Sequence, residues 1–316
     1  MSKSKPSRSA KTIGITLGDP CGIGPEVVSK ALSQFSSRNR THFLVIGDTP
    51  VFRYYFKNQK NVTFLYLNRL PQKSFTIGKS NPAAAQASLW YLHKAIGLLH
   101  EKKINALVTA PVTKEGIFAL GIPFYGHTEF LADAFKIKNF GMMFVAENLK
   151  MILVTRHIPL KAVSREINSK NVYATISLLA LALKKYFKIA QPRIAVCGLN
   201  PHASEGGTIG TEETSKIIPA IHMARVKGMK VFGPFPSDTL FFPKFSAPYD
   251  AIVAMYHDQG LIPIKALYFS KLVNLTVGLP FIRTSPAHGT AFNIAGQKKA
   301  DPSSMVEAIK LAEQLS

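Results

Sequence analysis

Three of the nine histidines follow apolar segments that read as β-strands. His157 comes directly after Met-Ile-Leu-Val-Thr-Arg, and His202 and His257 follow comparable runs. Ligands of open parallel sheets bind beyond the carboxyl ends of the strands, so these side chains are the first candidates for chemistry. Three imidazoles can bind a divalent metal and leave positions open for substrate oxygens. The pattern favours a shared catalytic metal site, whereas each histidine taken alone reads better as an ordinary surface or core residue.

Glycine-rich loops are the second group of candidates. Residues 18–26, Gly-Asp-Pro-Cys-Gly-Ile-Gly-Pro-Glu, join the first predicted strand to a helix. They match neither G-x-G-x-x-G nor a P-loop, so two interpretations stay open: an anion site at a helix N-terminus, or a tight turn. The loops at 126–129 and 200–207 are dense in hydrogen-bonding groups, although their glycines and helix caps are also explained by plain turns.

A third group carries cations and small residues near the C-terminus. Lys265, Asn274 and Arg283 are the residue types that bind and orient a phosphate monoester, although an isolated Lys or Arg is more often a solvated surface residue. The segment 288–296, His-Gly-Thr-Ala-Phe-Asn-Ile-Ala-Gly, offers free backbone donors in a concave loop. A purely structural loop explains this segment equally well.

Short β-branched runs alternate with helix-period segments, which is typical of parallel strands joined by crossover helices. Strands are predicted at 12–18, 42–48, 106–112, 151–155, 193–199 and 249–255. Asn81 followed by Pro82 predicts a helix start, with Leu89, Leu92, Ile96 and Leu99 on one face. A second helix carries Val172, Ile176, Leu179 and Leu183 in the same way. A third begins at Asp301 and Pro302 and carries Met305, Ile309 and Ala312.

Composition narrows the class of protein. The 316 residues contain 39 Lys and Arg against 18 Asp and Glu, a net charge of +21, which favours anionic partners. The basic residues are scattered and no nucleic-acid module is visible, so a non-catalytic nucleic-acid binder is the weaker alternative.

Two cysteines without C-x-x-C spacing indicate a reducing cytoplasm. No apolar run is long enough to span a bilayer, and residues 1–11 read as a disordered basic leader.

Taken together, the motifs resemble the 4-hydroxythreonine-4-phosphate dehydrogenase family of pyridoxal phosphate biosynthesis. The resemblance covers the chain from about residue 12 to the C-terminus. It rests on the order of separate blocks: GDPCGIGPE at 18–26, GHTEF at 126–130, VTRHIPL at 154–160, NPHASEGG at 200–207, DTLF at 238–241, YHDQG at 256–260 and GLPFIRTS at 278–285.

The resemblance implies two α/β/α domains with an interdomain cleft, similar to isocitrate and isopropylmalate dehydrogenases. The first domain would be discontinuous, comprising residues 12–140 and 287–316, and the second would comprise residues 141–286. The family also implies a homodimer with an active site that needs both subunits.

The resemblance also implies roles for the residues that match the family's motifs. The resemblance implies His157, His202 and His257 as metal ligands, one of them contributed across the dimer interface. It implies substrate contacts from His127, Thr128, Asp238, Lys265, Asn274 and Arg283. It implies cofactor contacts from His288, Gly289, Thr290 and Asn293. His127 and Asp238 are both candidates for the general base, and the sequence does not choose between them.

The implied reaction is the NAD- or NADP-dependent oxidation of 4-phosphooxy-L-threonine to 2-amino-3-oxo-4-phosphooxybutanoate, which decarboxylates to 3-amino-1-hydroxyacetone phosphate. The metal would be zinc, cobalt or magnesium. The closest alternative is a sister dehydrogenase acting on a phosphothreonate or phosphoerythronate. The chain departs from the family pattern at Ala287, where Asp is usual, and at Ser204, where Gly is common; the first departure bears on cofactor affinity.

Overall fold

Strands and helices alternate along most of the chain in the computed structural model, which describes residues 11–35, 41–57 and 59–316. The chain divides into two compact units, Met1–Gly126 with Phe281–Ser316, and His127–Pro280. Both are mixed α/β, as the sequence predicts. The predicted domain boundaries, 140/141 and 286/287, fall 14 and 6 residues after the boundaries of these units. The predicted leader lies outside the described residues except for Lys11.

The first unit contains a parallel sheet. Its strands are β1 (Thr12–Thr16), β2 (His42–Gly47), β3 (Val62–Tyr66), β4 (Ala106–Thr109) and β11 (Ile282–Pro286), in the order β3-β2-β1-β4-β11. Its helices are α1 (Gly24–Leu32), α2 (Thr49–Tyr55), α3 (Pro82–His100), α4 (Lys114–Phe118) and α12 (Ser303–Leu315). Both β4 and β11 are buried along their whole length, as expected for parallel strands covered on both faces.

The second unit contains a mixed sheet. Its strands are β5 (Gly141–Ala146), β6 (Leu149–Leu153), β7 (Arg193–Cys197), β8 (Lys230–Phe235), β9 (Ala251–Ala254) and β10 (Val273–Val277), in the order β10-β5-β6-β9-β7-β8. Its helices are α5 (His127–Ala134), α6 (Leu160–Glu166), α7 (Ser169–Phe187), α8 (Ile218–Val226), α9 (Ser237–Leu240), α10 (Pro243–Ser246) and α11 (His257–Tyr268). A π-helical turn at Glu213–Ile217 leads into α8.

One part of this sheet differs from the sequence prediction, which expected parallel strands throughout. β5 pairs antiparallel with both β10 and β6. β5 and β6 form a hairpin with a two-residue connection, in which Glu147 adopts a positive φ of 50°. A crossover helix is unnecessary here because antiparallel strands can be joined by so short a turn.

The predicted helices are confirmed, and their starts show why they form. The Asn81 side chain accepts a hydrogen bond from the amide of Ala84, and Pro82 occupies the first helical position of α3. The four apolar residues predicted to line α7 are all fully buried. α12 begins at Ser303, whose amide donates to Asp301 at 2.9 Å.

A buried carboxylate organises the first unit. Asp48, which is fully buried between β2 and α2, accepts hydrogen bonds from the amides of Arg69 at 2.7 Å and Leu70 at 3.0 Å. The Tyr91 hydroxyl of α3 donates to the same carboxylate at 2.8 Å. Burial, with the Asp48 charge next in importance, raises the pKa of Tyr91 well above its ordinary value. Asp48 therefore links a loop and a helix to the end of β2.

The two cysteines, Cys21 and Cys197, are free thiols and both are buried. Burial raises the pKa of Cys21 to about 11 and that of Cys197 further. Among the described residues, every helix is too short or too polar to cross a membrane.

Candidate active site

The three strand-end histidines follow three neighbouring parallel strands of the second unit. His157 follows β6, His257 follows β9 and His202 follows β7, and β9 pairs with both of the other strands. Asp238 follows β8, which is the next parallel strand. All four residues therefore lie beyond the carboxyl ends of adjacent strands, which is the edge where parallel sheets bind ligands.

Two of these histidines lie side by side. The ring centroids of His157 and His257 are 5.6 Å apart, and both residues line a cavity of about 240 Å³. Two imidazoles that share a metal ion at about 2.0–2.1 Å have centroids roughly 5–6 Å apart, so this spacing fits a shared divalent cation. The Nδ1 atom of His257 lies 2.6 Å from an oxygen of Asp258. That contact fixes the ring and leaves Nε2 for a metal, as second-shell carboxylates do in metal sites.

His202 is exposed and does not join the other two histidines within one chain. Among residues 11–35, 41–57 and 59–316, no three His, Cys, Asp or Glu side chains are grouped as a metal site. The metal role of His202, together with its expected contribution across a dimer interface, stays a prediction.

The backbone that carries His202 has an unusual conformation. His202, Ala203, Ser204 and Glu205 all have positive φ values, from 43° to 68°, and Gly206 continues the run at 70°. We call residues 202–206 the left-handed turn. Left-handed backbone costs about 1–2 kcal/mol for each residue other than glycine, so the surroundings must offset several kcal/mol. Such strain is typical of functional sites.

Ser204 gives a test of this strain. Its side chain is 1% exposed, and its hydroxyl has no hydrogen-bond partner among the described residues. We expect Ser204→Gly to raise the free energy of unfolding by about 1 kcal/mol, because glycine adopts φ 68° without strain and the unpaired hydroxyl is removed. Urea-induced unfolding measures this change. Ser177→Gly is the control, because it removes an equally unpartnered hydroxyl from within α7 and should be destabilising. Equal losses for both variants would contradict the prediction.

The predicted substrate residues of the second unit lie in three places. His127 and Thr128 begin α5, and the Thr128 hydroxyl lies 3.2 Å from that of Thr276 on β10. Asn274 lies two residues before Thr276, so both point to the same face of β10. Lys265 is half-buried on α11, and Asp238 is exposed at α9. The start of α5 and the polar face of β10 are therefore brought together, and the substrate roles of all five stay predictions.

Two residues that sequence reasoning did not single out support this region. Glu129 of α5 accepts a hydrogen bond from Arg156 at 3.1 Å, and the Arg156 guanidinium also stacks over Phe140 at 4.7 Å. The pair ties α5 to the residue before His157. Their positions beside His127 and His157, within the GHTEF and VTRHIPL blocks, were the available signal.

Arg283 is placed differently from the other predicted substrate residues. It belongs to β11 of the first unit, it is 2% exposed, and it donates to the Thr109 hydroxyl at 2.5 Å. It is thus a core residue and not a solvated one, because β11 is buried on both faces. Its contact with substrate stays a prediction.

The predicted cofactor loop is packed against the glycine-rich turn of residues 18–26 in the first unit. The amide of Ile23 donates to the carbonyl of Thr290 at 2.9 Å. A Cβ atom at Gly22 would lie 2.9 Å from the same carbonyl oxygen, so a side chain there would displace the loop. Glu26 accepts hydrogen bonds from Lys30 at 2.8 Å and from the amide of Ala300 at 3.2 Å. These contacts fit the interpretation of the segment as a tight turn, and the anion site stays a prediction.

His288, Gly289, Thr290 and Asn293 all lie on this loop, and Gly289 and Asn293 are exposed. The Nδ1 atom of His288 lies 3.0 Å from the Gly289 carbonyl. Their contacts with a cofactor stay predictions.

Comparisons with known proteins agree with the motifs. The family model described as pyridoxal phosphate biosynthetic protein PdxA matches residues 26–312. A 4-hydroxythreonine-4-phosphate dehydrogenase of Desulforapulum autotrophicum is 43% identical, over 95% of this chain and 94% of that protein. A D-threonate 4-phosphate dehydrogenase of Cupriavidus necator is 42% identical, over 96% and 97% of the two chains.

A solved structure supports the same family and fold. The crystal structure of 4-hydroxythreonine-4-phosphate dehydrogenase from Klebsiella pneumoniae superposes with a TM-score of 0.83 at 34% identity, covering 96% of this chain and 99% of that one. The predicted resemblance and α/β fold class are confirmed, and the chain belongs to the PdxA family of pyridoxal phosphate biosynthetic proteins.

Proposed function

We propose that this protein is a dehydrogenase that uses NAD, or NADP, to oxidise 4-phosphooxy-L-threonine. The observation that carries the proposal is the placement of His157, His257 and His202 beyond three adjacent parallel strands. The names of the relatives support dehydrogenase activity on a phosphorylated hydroxy acid. The product, a 2-amino-3-oxo acid, would lose carbon dioxide to give 3-amino-1-hydroxyacetone phosphate in pyridoxal 5'-phosphate biosynthesis.

The three histidines would hold one divalent cation, for which zinc, cobalt and magnesium are the candidates. Such a cation lowers the pKa of a bound hydroxyl and polarises the resulting carbonyl. Asp258 would keep the His257 ring oriented through its 2.6 Å contact. His157 and His257 supply only two imidazoles from one chain, so we propose that the protein acts as a homodimer that completes the set. The two free, buried thiols suit a cytoplasmic enzyme.

The oxidation removes a hydride and a proton from the secondary alcohol. The hydride goes to NAD, and the proton needs a base within hydrogen-bond reach. His127 at the start of α5 and Asp238 at α9 are the candidates. Lys265 and Asn274 would hold the phosphate and orient the substrate, with Arg283 contributing from β11.

A second candidate substrate is favoured by a specific observation. The D-threonate 4-phosphate dehydrogenase relative is only one percentage point less identical than the 4-hydroxythreonine-4-phosphate dehydrogenase relative. The two substrates share a phosphate and a hydroxyl, and they differ at the amino group. Family membership alone is therefore compatible with either.

A substrate panel tests the proposal. Purified protein is mixed with NAD, a divalent metal and, separately, 4-phosphooxy-L-threonine, D-threonate 4-phosphate and erythronate 4-phosphate, and NADH absorbance is followed. We expect the highest kcat/KM for 4-phosphooxy-L-threonine. A higher value for a phosphate ester without the amino group would assign the sister activity. No NADH from any substrate, with salt-sensitive binding to nucleic acid, would favour the nucleic-acid alternative.

Gly22 tests the cofactor assignment. We expect Gly22→Ala to weaken NAD binding about tenfold or more, because the new methyl group lies 2.9 Å from the Thr290 carbonyl and must displace the loop that carries His288 and Asn293. Equilibrium binding measured by calorimetry gives the dissociation constant. Gly97→Ala in α3 is the matched control, since its Cβ meets nothing within 4 Å and alanine favours helix. Unchanged NAD affinity in a folded Gly22→Ala variant would remove the loop from the cofactor site.

A further inference from the structure

The left-handed turn is held by one buried carboxylate. Glu213 is fully buried, and one of its oxygens accepts hydrogen bonds from the amides of Leu199 and Asn200, both at 2.7 Å. Its second oxygen accepts from the Asn200 side chain at 2.8 Å. Three donors immediately before the turn thus converge on a single side chain.

A second carboxylate extends these hydrogen bonds to a neighbouring helix. The Asn200 side chain also donates to Glu212 at 2.8 Å, and the Ser164 hydroxyl of α6 donates to Glu212 at 2.6 Å. These hydrogen bonds, that of Ser164 first, lower the pKa of Glu212 to about 2. Asn200, Glu212 and Ser164 therefore connect the residues before the left-handed turn to α6.

The end of β7 is also tied to the strand that precedes His257. The Gln259 side chain accepts from the amide of Met255 at 2.6 Å and donates to the carbonyl of Gly198 at 2.7 Å. A Cβ atom at Gly198 would lie 2.8 Å from Cα of Ala203 and 3.0 Å from Glu213. The left-handed turn, Glu213 and the end of β7 are thus in close contact, with no space for a side chain at Gly198.

We propose that Glu213 is a positioning residue that fixes the left-handed turn and, through it, the direction of the His202 imidazole. The part that concerns metal binding rests on the proposed function. An exposed histidine on a strained backbone keeps one direction only if the residues before it are fixed. Glu213 supplies that constraint through three charge-assisted hydrogen bonds, which are stronger than neutral ones.

Glu213→Gln is the informative variant. A glutamine oxygen can still accept from the two backbone amides, but its NH₂ group then faces the NH₂ group of Asn200, and two donors cannot bond to each other. We expect faster hydrogen exchange in a peptide spanning residues 198–207. In titrations with Co²⁺, followed by visible absorbance, we expect a dissociation constant that is 10- to 100-fold larger, as for other second-shell metal partners. Glu166→Gln, an exposed side chain at the end of α6, is the control and should change neither measurement.

The outcomes separate this inference from the proposed function. Exchange in 198–207 that stays at the wild-type level would overturn the inference, whatever the metal does. Faster exchange with wild-type Co²⁺ affinity would reduce Glu213 to a structural role and overturn it as well. If the wild-type protein binds no Co²⁺, the metal site of the proposed function fails, and the exchange result alone decides whether Glu213 fixes the turn.

A milder variant covers the case in which Glu213→Gln does not fold. Asn200→Ala removes only the side-chain bonds to Glu212 and Glu213 and leaves both backbone amides paired with Glu213. It should give a smaller increase in exchange and a smaller loss of Co²⁺ affinity, in the same direction. Wild-type values for both would contradict the proposal.

Discussion

His202→Ala is expected to lower turnover of the phosphorylated hydroxy acid by several orders of magnitude. The proposed cation contributes several kcal/mol to the reaction, and each 1.4 kcal/mol corresponds to a factor of ten in rate. His202 is exposed, so its truncation leaves no cavity and should not change the folded structure. NADH formation at saturating substrate gives kcat, and elemental analysis of the purified protein gives the bound metal.

His222→Ala is the matched control for that experiment. His222 is an exposed histidine on α8, away from the strand ends, and its removal should leave kcat and metal content unchanged. A His202→Ala variant with near-normal turnover after metal removal would show that His202 does not bind the catalytic cation.

Asp48→Ala should produce the largest loss of stability, about 3–5 kcal/mol. The substitution leaves the buried Leu70 amide and Tyr91 hydroxyl, and the part-buried Arg69 amide, without their shared acceptor. An unpaired buried donor costs about 1–3 kcal/mol. Urea-induced unfolding measures the free-energy difference, provided that the denaturant dependence is unchanged.

Tyr91→Phe isolates the contribution of the tyrosine hydroxyl to stability from the contributions of the two backbone amides. It removes one donor and leaves Asp48 paired with the two amides, so we expect a loss of about 1 kcal/mol. If the two variants were equally destabilised, the backbone contacts of Asp48 would contribute nothing, and the cost would belong to the tyrosine hydroxyl alone.

Much of the fold was predictable because six of the strands, β1, β2, β4, β6, β7 and β9, consist mostly of buried residues. All six predicted strands are present, and each prediction runs one to three residues past the observed end of its strand. β1 and β4 end where their pairing ends, at Thr16 and Thr109. Gly18, predicted as strand, has φ 68° and begins the turn instead. Apolar runs locate strands well, whereas their ends depend on pairing with another segment.

The antiparallel hairpin was missed for a related reason. Residues 141–146 form a short apolar run, and periodicity does not reveal the direction of its partner. The connection at Glu147 and Asn148 lacks the glycine that usually marks a two-residue hairpin turn.

The candidate site was likewise predictable only in part. His157, His202 and His257 could be selected because each lies within five residues of the end of a recognisable strand. The burial of Arg283 was not predictable, because Ile-Arg-Thr-Ser-Pro carries polar residues that read as a surface strand. The left-handed turn was also not predictable, since its conformation depends on Glu213, which lies eleven positions after His202.

The two buried thiols have a practical consequence for spectroscopy. At neutral pH a thiol with a pKa of about 11 is ionised in only about one molecule in ten thousand, and the thiolate is the reactive species. Maleimide and iodoacetamide dyes should therefore leave native Cys21 and Cys197 unlabelled. A cysteine engineered at an exposed position would be the single attachment point for a fluorophore or spin label, without prior removal of either native thiol.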